Sequence, residues 1–405
     1  MQLRRFILLA ALFATLAPVL TSCHKEDRKE ARSILIYLAG NNNISYYAED
    51  DLEQLESGYL PPECSTQDGV FVYLHTQHYR PQLLRLSRDG NGDVVRTVMA
   101  YYDEKQNSAS AATLKQVILD VERLWPAERR GLVLWSHATG YLPRGYFNDP
   151  KETGGRRISD EADPFRHLVK SDGDTLTRTF GVDYNGDDEM ELADLAAAIP
   201  HHYEYICFDC CLMGGIEVAY ECRNVCDYVV FSPTEILVQG FPYYMMMEVL
   251  FSDDDIRNSL ISVAREYYDY YAAQGGTKGC TISVIQTDRL PALAAACAPI
   301  FERHRAEILA IDGNTIQQYF RMNRHWFYDL GDIVKRVADA DEYTRFAQAM
   351  DGAVIYKAAT PYFLSIVIDP QKYSGLSSYL PNPGYHYLNE YYKGLLWNID
   401  TGFVK

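Results

Sequence analysis

Several common signals are missing from this sequence, and each absence closes a route. No C-x-x-C pair is matched by a second one and no H-E-x-x-H occurs, so the ligand spacing of a zinc site is not present. There is no internal repeat and no low-complexity tract. Positive charge is in deficit, with 38 Lys and Arg against 55 Asp and Glu and a formal net charge of −17. That balance argues against nucleic acid or an anionic membrane surface as a partner, while leaving a cationic peptide open. The N-terminal apolar run "FILLAALFATLAPVL" has 15 residues, short of the ~20 that a membrane-spanning helix needs.

What is present points to a large folded protein with an exported N-terminus. The chain has 405 residues, 47% of them hydrophobic, enough to bury a sizeable core as one large domain with appendages or as two domains. Its 32 tyrosines are spread along the chain and read as core residues with a hydroxyl at the core's edge. "MQLRR" is a basic start, the apolar run follows, and "LTSC" closes it. This ending resembles a bacterial lipobox, so residues 1–22 read as a lipoprotein signal peptide and Cys23 as the lipidated residue. Residues 23–32 are then a charged tether, and several acyl chains give stable attachment where one would not. The expected location is the bacterial cell envelope, at the outer membrane, with the lipid anchor as the only membrane contact. Export also permits disulfides: Cys222 and Cys226 are close enough in sequence to pair, although connectivity is not readable.

Beyond the tether, short apolar runs alternate with helical stretches. The runs are 33–40, 69–77, 131–137, 203–211, 228–235 and 280–288, with a hairpin over 83–101 turning at Asp-Gly-Asn-Gly. Helical spacing occupies 110–124, 191–199, 214–224 and 254–273. This rhythm predicts an α/β fold, a largely parallel sheet covered on both faces. Residues 141–180 break it: they are polar and carry Arg144, Lys151, Arg156, Arg157, Arg166, Lys170 and Arg178. From about residue 300 the pattern turns helical, then ends in short strands and a tyrosine-rich helix. The expected organisation is a main domain over 33–300 and a smaller C-terminal subdomain over 301–405.

Ligands of open parallel sheets sit beyond the carboxyl ends of the strands. Two of those ends carry reactive groups, His137 after "LVLW" and Cys211 in "YEYICFDCC". If the strands are neighbours, imidazole and thiol meet, and the histidine can take the thiol proton and later protonate a leaving amine. Gly214 and Gly215 precede a helical run whose positive end favours thiolate. On spacing alone, the ordinary reading of the two residues, a buried thiol and a strand-end histidine, outweighs the catalytic one.

"HATGY" and "FDCCLMGGIEVAYE" resemble the clostripain family of cysteine endopeptidases, in the caspase–legumain–gingipain clan. "ILIYLAGNNNI", "FSPTEILVQGFPY" and "SGLSSYLPNPGY" resemble further stretches of that family in the same order. The resemblance implies a caspase-like three-layer α/β/α sandwich over 33–300. It implies His137 and Cys211 as a catalytic dyad acting through a thioester acyl-enzyme, with the backbone N–H groups of Ala138 and Cys211 as the oxyanion hole. Asp209 would face the same side of its strand as Cys211, with Cys210 opposite. The resemblance makes Asp209 the acceptor of an arginine, or a lysine, before the scissile bond, with Glu235 a second candidate for that pocket. Peptides or proteins with Arg or Lys at that position are the expected partners.

Processing between the histidine and cysteine strands is implied as well, and the basic residues of 141–180 suggest self-cleavage after Lys151, Arg156 or Arg157. No cofactor is required, and no metal ligand set is assigned. "DYNGDDEMELAD" (183–194) lacks the glycine and glutamate of an EF-hand loop, so only a looser calcium site in that acidic stretch is left open. Two departures stand out: Ala138 replaces the family glycine and Tyr141 the usual tryptophan. If the site needs positive φ at 138, alanine costs about 1 kcal/mol. The alternative reading is therefore a weak or inactive homologue that serves as a peptide- or partner-binding envelope lipoprotein.

Overall fold

The apolar runs form one nine-stranded sheet in the computed structural model, which describes residues 30–146, 164–170, 180–186, 190–251, 255–322 and 325–405. In chain order the strands are β1 (Arg32–Gly40), β2 (Gly69–Thr76), β3 (Gln82–Arg88), β4 (Val94–Tyr101), β5 (Arg129–Trp135), β6 (Tyr203–Asp209), β7 (Cys226–Phe231) and β8 (Thr281–Gln286). The two-residue β9 (Tyr328–Asp329) pairs with Ser377–Ser378 outside the sheet, and β10 (Val354–Ala359) completes the sheet. The order across it is β10-β8-β7-β6-β5-β1-β2-β3-β4.

The centre, from β2 through β1, β5 and β6 to β7, is parallel. Both flanks are antiparallel: β3 and β4 form the expected hairpin on one side, and β8 and β10 close the other. All residues of β1 and β2 are buried, as a strand covered on both faces requires. Helices supply the cover. They include α1 (Ser45–Ser57), α2 (Ala111–Leu124), α3 (Leu192–Ala197), α4 (Ile216–Cys222), α5 (Tyr243–Leu250) and α6 (Ile256–Gln274). In α2 the residues Leu114, Val117, Ile118 and Val121 bury one stripe, and Ser110 caps the helix by accepting from Thr113 N–H.

Two features of the sheet were not legible in the sequence. The run 280–288 lies antiparallel to β7, since two helices, α5 and α6, separate the strands where a parallel crossover uses one. β10 had no sequence signal: it is a half-exposed edge strand with a register irregularity, so it shows neither alternation nor a fully apolar run. All eight described cysteines are buried free thiols; Cys226 Sγ donates to Cys222 O at 3.6 Å instead of forming a bridge. Among the described residues, no helix is long and apolar enough to cross a membrane. Residues 1–29, with Cys23 and the signal segment, lie outside the described residues.

Candidate functional site

β5 and β6 are hydrogen-bonded neighbours, paired in parallel with Trp135 opposite Asp209. Two residues further along each strand come His137 and Cys211, which therefore leave the sheet at the same level on adjacent strand ends. Both are fully buried. The loops behind them touch: Gly140 has φ +65°, and a Cβ there would meet Leu212 O at 2.5 Å. Leu212 itself takes φ +62°, which sharpens the turn after the cysteine.

The paired thiols face opposite ways, as strand alternation dictates. Cys210 Sγ donates to Leu134 O at 3.1 Å, back into the sheet. Cys211 Sγ turns to the segment after β7, where it accepts from Ile236 N–H at 3.2 Å and donates to Ile236 O at 3.6 Å. Burial, then the Glu235 carboxylate, pushes the Cys211 thiol up to about 12 against the pull of Ile236 N–H, Lys170 and Arg321. At neutral pH it is a thiol in this arrangement. His137 Nε2 lies 2.7 Å from Asn43 Oδ1, on the turn that follows β1. Ala138 takes no left-handed backbone: its partner is Phe180, in an antiparallel bridge, and Gly181 N–H donates to His137 O at 2.9 Å. The strain expected of alanine at 138 is absent here. Tyr141 donates to Trp326 O and packs against Phe327, Tyr379 and Tyr392, which fastens the histidine loop to the C-terminal segment.

Asp209 is fully buried. It accepts from Phe241 N–H at 3.2 Å and Tyr243 Oη at 3.0 Å, and its Oδ1 lies 2.6 Å from Lys170 Nζ. The ammonium also donates to Asp209 O at 3.2 Å and sits 4.5 Å from the centre of the Trp135 ring. Gly240, at φ +61°, makes the room: a Cβ there would come within 2.4 Å of Asp209 Oδ2 and 2.7 Å of Lys170 Nζ. Asp51 of α1 is a second buried acid in this environment. Burial raises its pKa well above the carboxylate range, Lys170 pulls it back, and Asp209 raises it further.

The lysine arrives on an extended backbone. Lys170 N–H donates to Ile236 O at 3.0 Å, Val238 N–H donates to Leu168 O at 2.9 Å, and Val169 bridges Leu237 antiparallel. After the 3-10 turn Arg166–Leu168, Val169 thus makes an isolated antiparallel bridge, flanked by these two bonds, with 236–238, the same segment that holds the Cys211 thiol. An extended peptide in a cleft is held in this way, by main-chain hydrogen bonds with side chains in pockets.

Of the two acids singled out in the sequence, Asp209 holds Lys170, and Glu235 is buried, paired with Arg321 and close enough to Cys211 to act on its thiol. Lys151, Arg156 and Arg157 fall outside the described residues. Among the described residues no group of His, Cys, Asp and Glu could hold a metal ion. Sequence reasoning missed Asn43, Trp135, Gly240 and Tyr243, and it ranked Lys170 no higher than its basic neighbours. Only the asparagine-rich turn carried a readable signal.

The profile of the clostripain family matches residues 36–154 and 167–399. An X-ray structure described as an inactive zymogen C11 protease from Parabacteroides distasonis is 34% identical, with a TM-score of 0.73 over 92% of this chain and 98% of that one. A secreted C11 cysteine protease from Bacteroides thetaiotaomicron, solved in complex with an irreversible peptide inhibitor, is 26% identical. It has a TM-score of 0.74 over 92% and 99% of the two chains. No curated protein matches the sequence.

Proposed function

The chain belongs to the clostripain family of cysteine peptidases, and we propose that it is an endopeptidase that cuts after lysine or arginine and rests with its own Lys170 in the specificity pocket. The observation that carries this reading is the seat of Lys170: its ammonium on Asp209 and Trp135, its backbone paired with Ile236 beside Cys211. A substrate side chain would enter the same way. The seat suits a lysine ammonium, so the preference expected for arginine extends to lysine on equal terms.

In the proposed reaction, His137 takes the Cys211 proton and the thiolate attacks the carbonyl carbon after the basic residue. The Cys211 and Ala138 N–H groups hold the developing oxyanion. The imidazolium returns its proton to the leaving amine as the C–N bond breaks, leaving a thioester. Water, deprotonated by His137, then opens the thioester to a carboxylic acid and the free thiol. The buried, protonated Cys211 fits a resting form, and the P. distasonis relative described as an inactive zymogen supports a resting state in this family. Anchoring at the bacterial envelope through Cys23 remains part of the proposal, and the secreted B. thetaiotaomicron relative supports an extracytoplasmic location.

Mass spectrometry of purified protein tests the reading. With Lys170 seated there, the proposed self-cleavage site moves from Lys151, Arg156 or Arg157 to the bond between Lys170 and Ser171, which should be cut in the wild type and stay intact in Cys211→Ala and in Lys170→Ala. Cutting there in Cys211→Ala would remove the self-processing claim. The second reading, a peptide-binding homologue without turnover, is favoured by the occluded thiol. It predicts an intact wild-type chain that binds lysyl peptides without hydrolysing them.

A further inference from the structure

Three adjacent strands of the sheet, β1, β5 and β6, deliver three polar residues to one edge: Asn43, His137 and Cys211. We propose that Asn43 is a positioning residue for the reaction above, fixing which nitrogen of His137 carries the proton. The inference rests on the peptidase reading only for its catalytic consequence.

The chemistry follows from the 2.7 Å contact between His137 Nε2 and Asn43 Oδ1. An amide oxygen only accepts, so Nε2 must be the N–H of the neutral ring, and Nδ1 then holds the lone pair. That makes Nδ1 the basic nitrogen available for the Cys211 proton. The reverse tautomer would place the hydrogen on the nitrogen that must receive one. When the ring becomes an imidazolium, the Asn43 oxygen still accepts from Nε2–H, so the contact persists through proton transfer.

An orienting group must itself be fixed, and the turn that carries Asn43 is bound on several sides. Asn42 donates its side-chain amide to Ala39 O at 3.2 Å and Val182 O at 2.9 Å, and its Oδ1 accepts from Ile44 N–H at 3.0 Å. Asn41 donates to Asp183 Oδ1 at 2.7 Å and accepts Tyr184 N–H at 3.0 Å. The 181–184 strap that takes these bonds also donates from Gly181 to His137 O at 2.9 Å. One strap therefore braces both the backbone of the histidine and the turn that sets its ring. Three consecutive asparagines divide the work: Asn41 to the strap, Asn42 to the turn, Asn43 to the imidazole.

The decisive measurement is ¹⁵N NMR of histidine-labelled Cys211→Ala protein, which needs no turnover, with the His137 signals assigned by their loss in His137→Gln. The expected spectrum has a protonated Nε2 and an unprotonated Nδ1, and in Asn43→Ala this pattern gives way to exchange between tautomers. In chains with Cys211 intact, Asn43→Ala should lower kcat on a lysyl peptide about 10- to 100-fold with KM nearly constant. Asn43→Asp, which keeps the accepting oxygen, should recover most of that loss. A His137 pattern unchanged by Asn43→Ala, or Nδ1–H in the Asn43-containing chain, overturns the proposal. If the NMR pattern depends on Asn43 while the wild type hydrolyses no peptide, the tautomer assignment stands and the peptidase reading fails.

Discussion

Asp209 and Lys170 show what a substrate side chain must provide in this pocket: a cation at the end of an extended stem. Charge-assisted hydrogen bonds of this kind contribute about 1.5–3 kcal/mol. Asp209→Asn should therefore lower kcat/KM for lysyl and arginyl peptides roughly 10- to 150-fold, with the near-ultraviolet circular dichroism of the fold retained. An unchanged preference for basic residues would remove Asp209 from the pocket. A second residue-scale prediction concerns Asp183. Burial alone would raise its pKa, but His75 at 3.0 Å, the Ser108 hydroxyl and Asn185 N–H outweigh it and bring it down to about 2. A depressed carboxylate stabilises the fold above its unfolded pKa of ~3.9, and that contribution is lost as pH falls toward 2. Asp183→Asn should be less stable by about 2 kcal/mol at pH 7, with the gap to wild type closing between pH 5 and pH 2. A gap that stays constant across that range contradicts the assignment.

Strands and their ends were the most legible features of the sequence. Buried runs bounded by turn residues located β1, β2, β5 and β6 within two residues and β7 within four, and the period of two separated Cys211 from Cys210. The outcome for Lys170 shows the limit of such reading. Nothing local distinguishes it from Arg156 or Arg166; what selects it is the pairing of 168–170 with 236–238, two segments some seventy positions apart. Asn43 was hidden for a related reason, since its role depends on β1 and β5 being neighbours, and neighbour order is not written in either strand. The pairing of Glu235 with Arg321 was not legible either, because Arg321 comes from the C-terminal stretch, whose short strands and edge strand carry little periodicity. At this scale, the account predicts that Val238→Pro, which removes the N–H that donates to Leu168 O where 168–170 meets 236–238, weakens that pairing. The bond after Lys170 should then be cut more slowly than in wild type, as read from the intact mass over time. An unchanged rate would mean that the strand pairing does not present Lys170.

Across the whole molecule, the C-terminal stretch is bolted to the helix that follows the cysteine. Glu217 of α4 is buried and accepts from Ser378 Oγ at 3.0 Å, Tyr379 N–H at 2.9 Å and Tyr392 Oη. Burial raises its pKa, while those donors hold it down. Ser377 N–H donates to Gly214 O at 2.9 Å just before the helix, so residues beyond 370 help to set the turn that carries Cys211. Glu217→Ala would orphan buried donors at about 1–3 kcal/mol each and should lower the melting temperature by several degrees, with a loss of Cys211 reactivity. A melting temperature equal to that of wild type would place the C-terminal fastening elsewhere. The central claim is that a basic side chain in the Asp209 pocket delivers a peptide carbonyl to Cys211, and a lysyl acyloxymethylketone tests it most directly. The account predicts slow labelling of the intact chain and complete labelling, with the adduct mapped to Cys211, once the bond after Lys170 is cut. A folded, cut chain that takes up no label, or carries it on another cysteine, would contradict it.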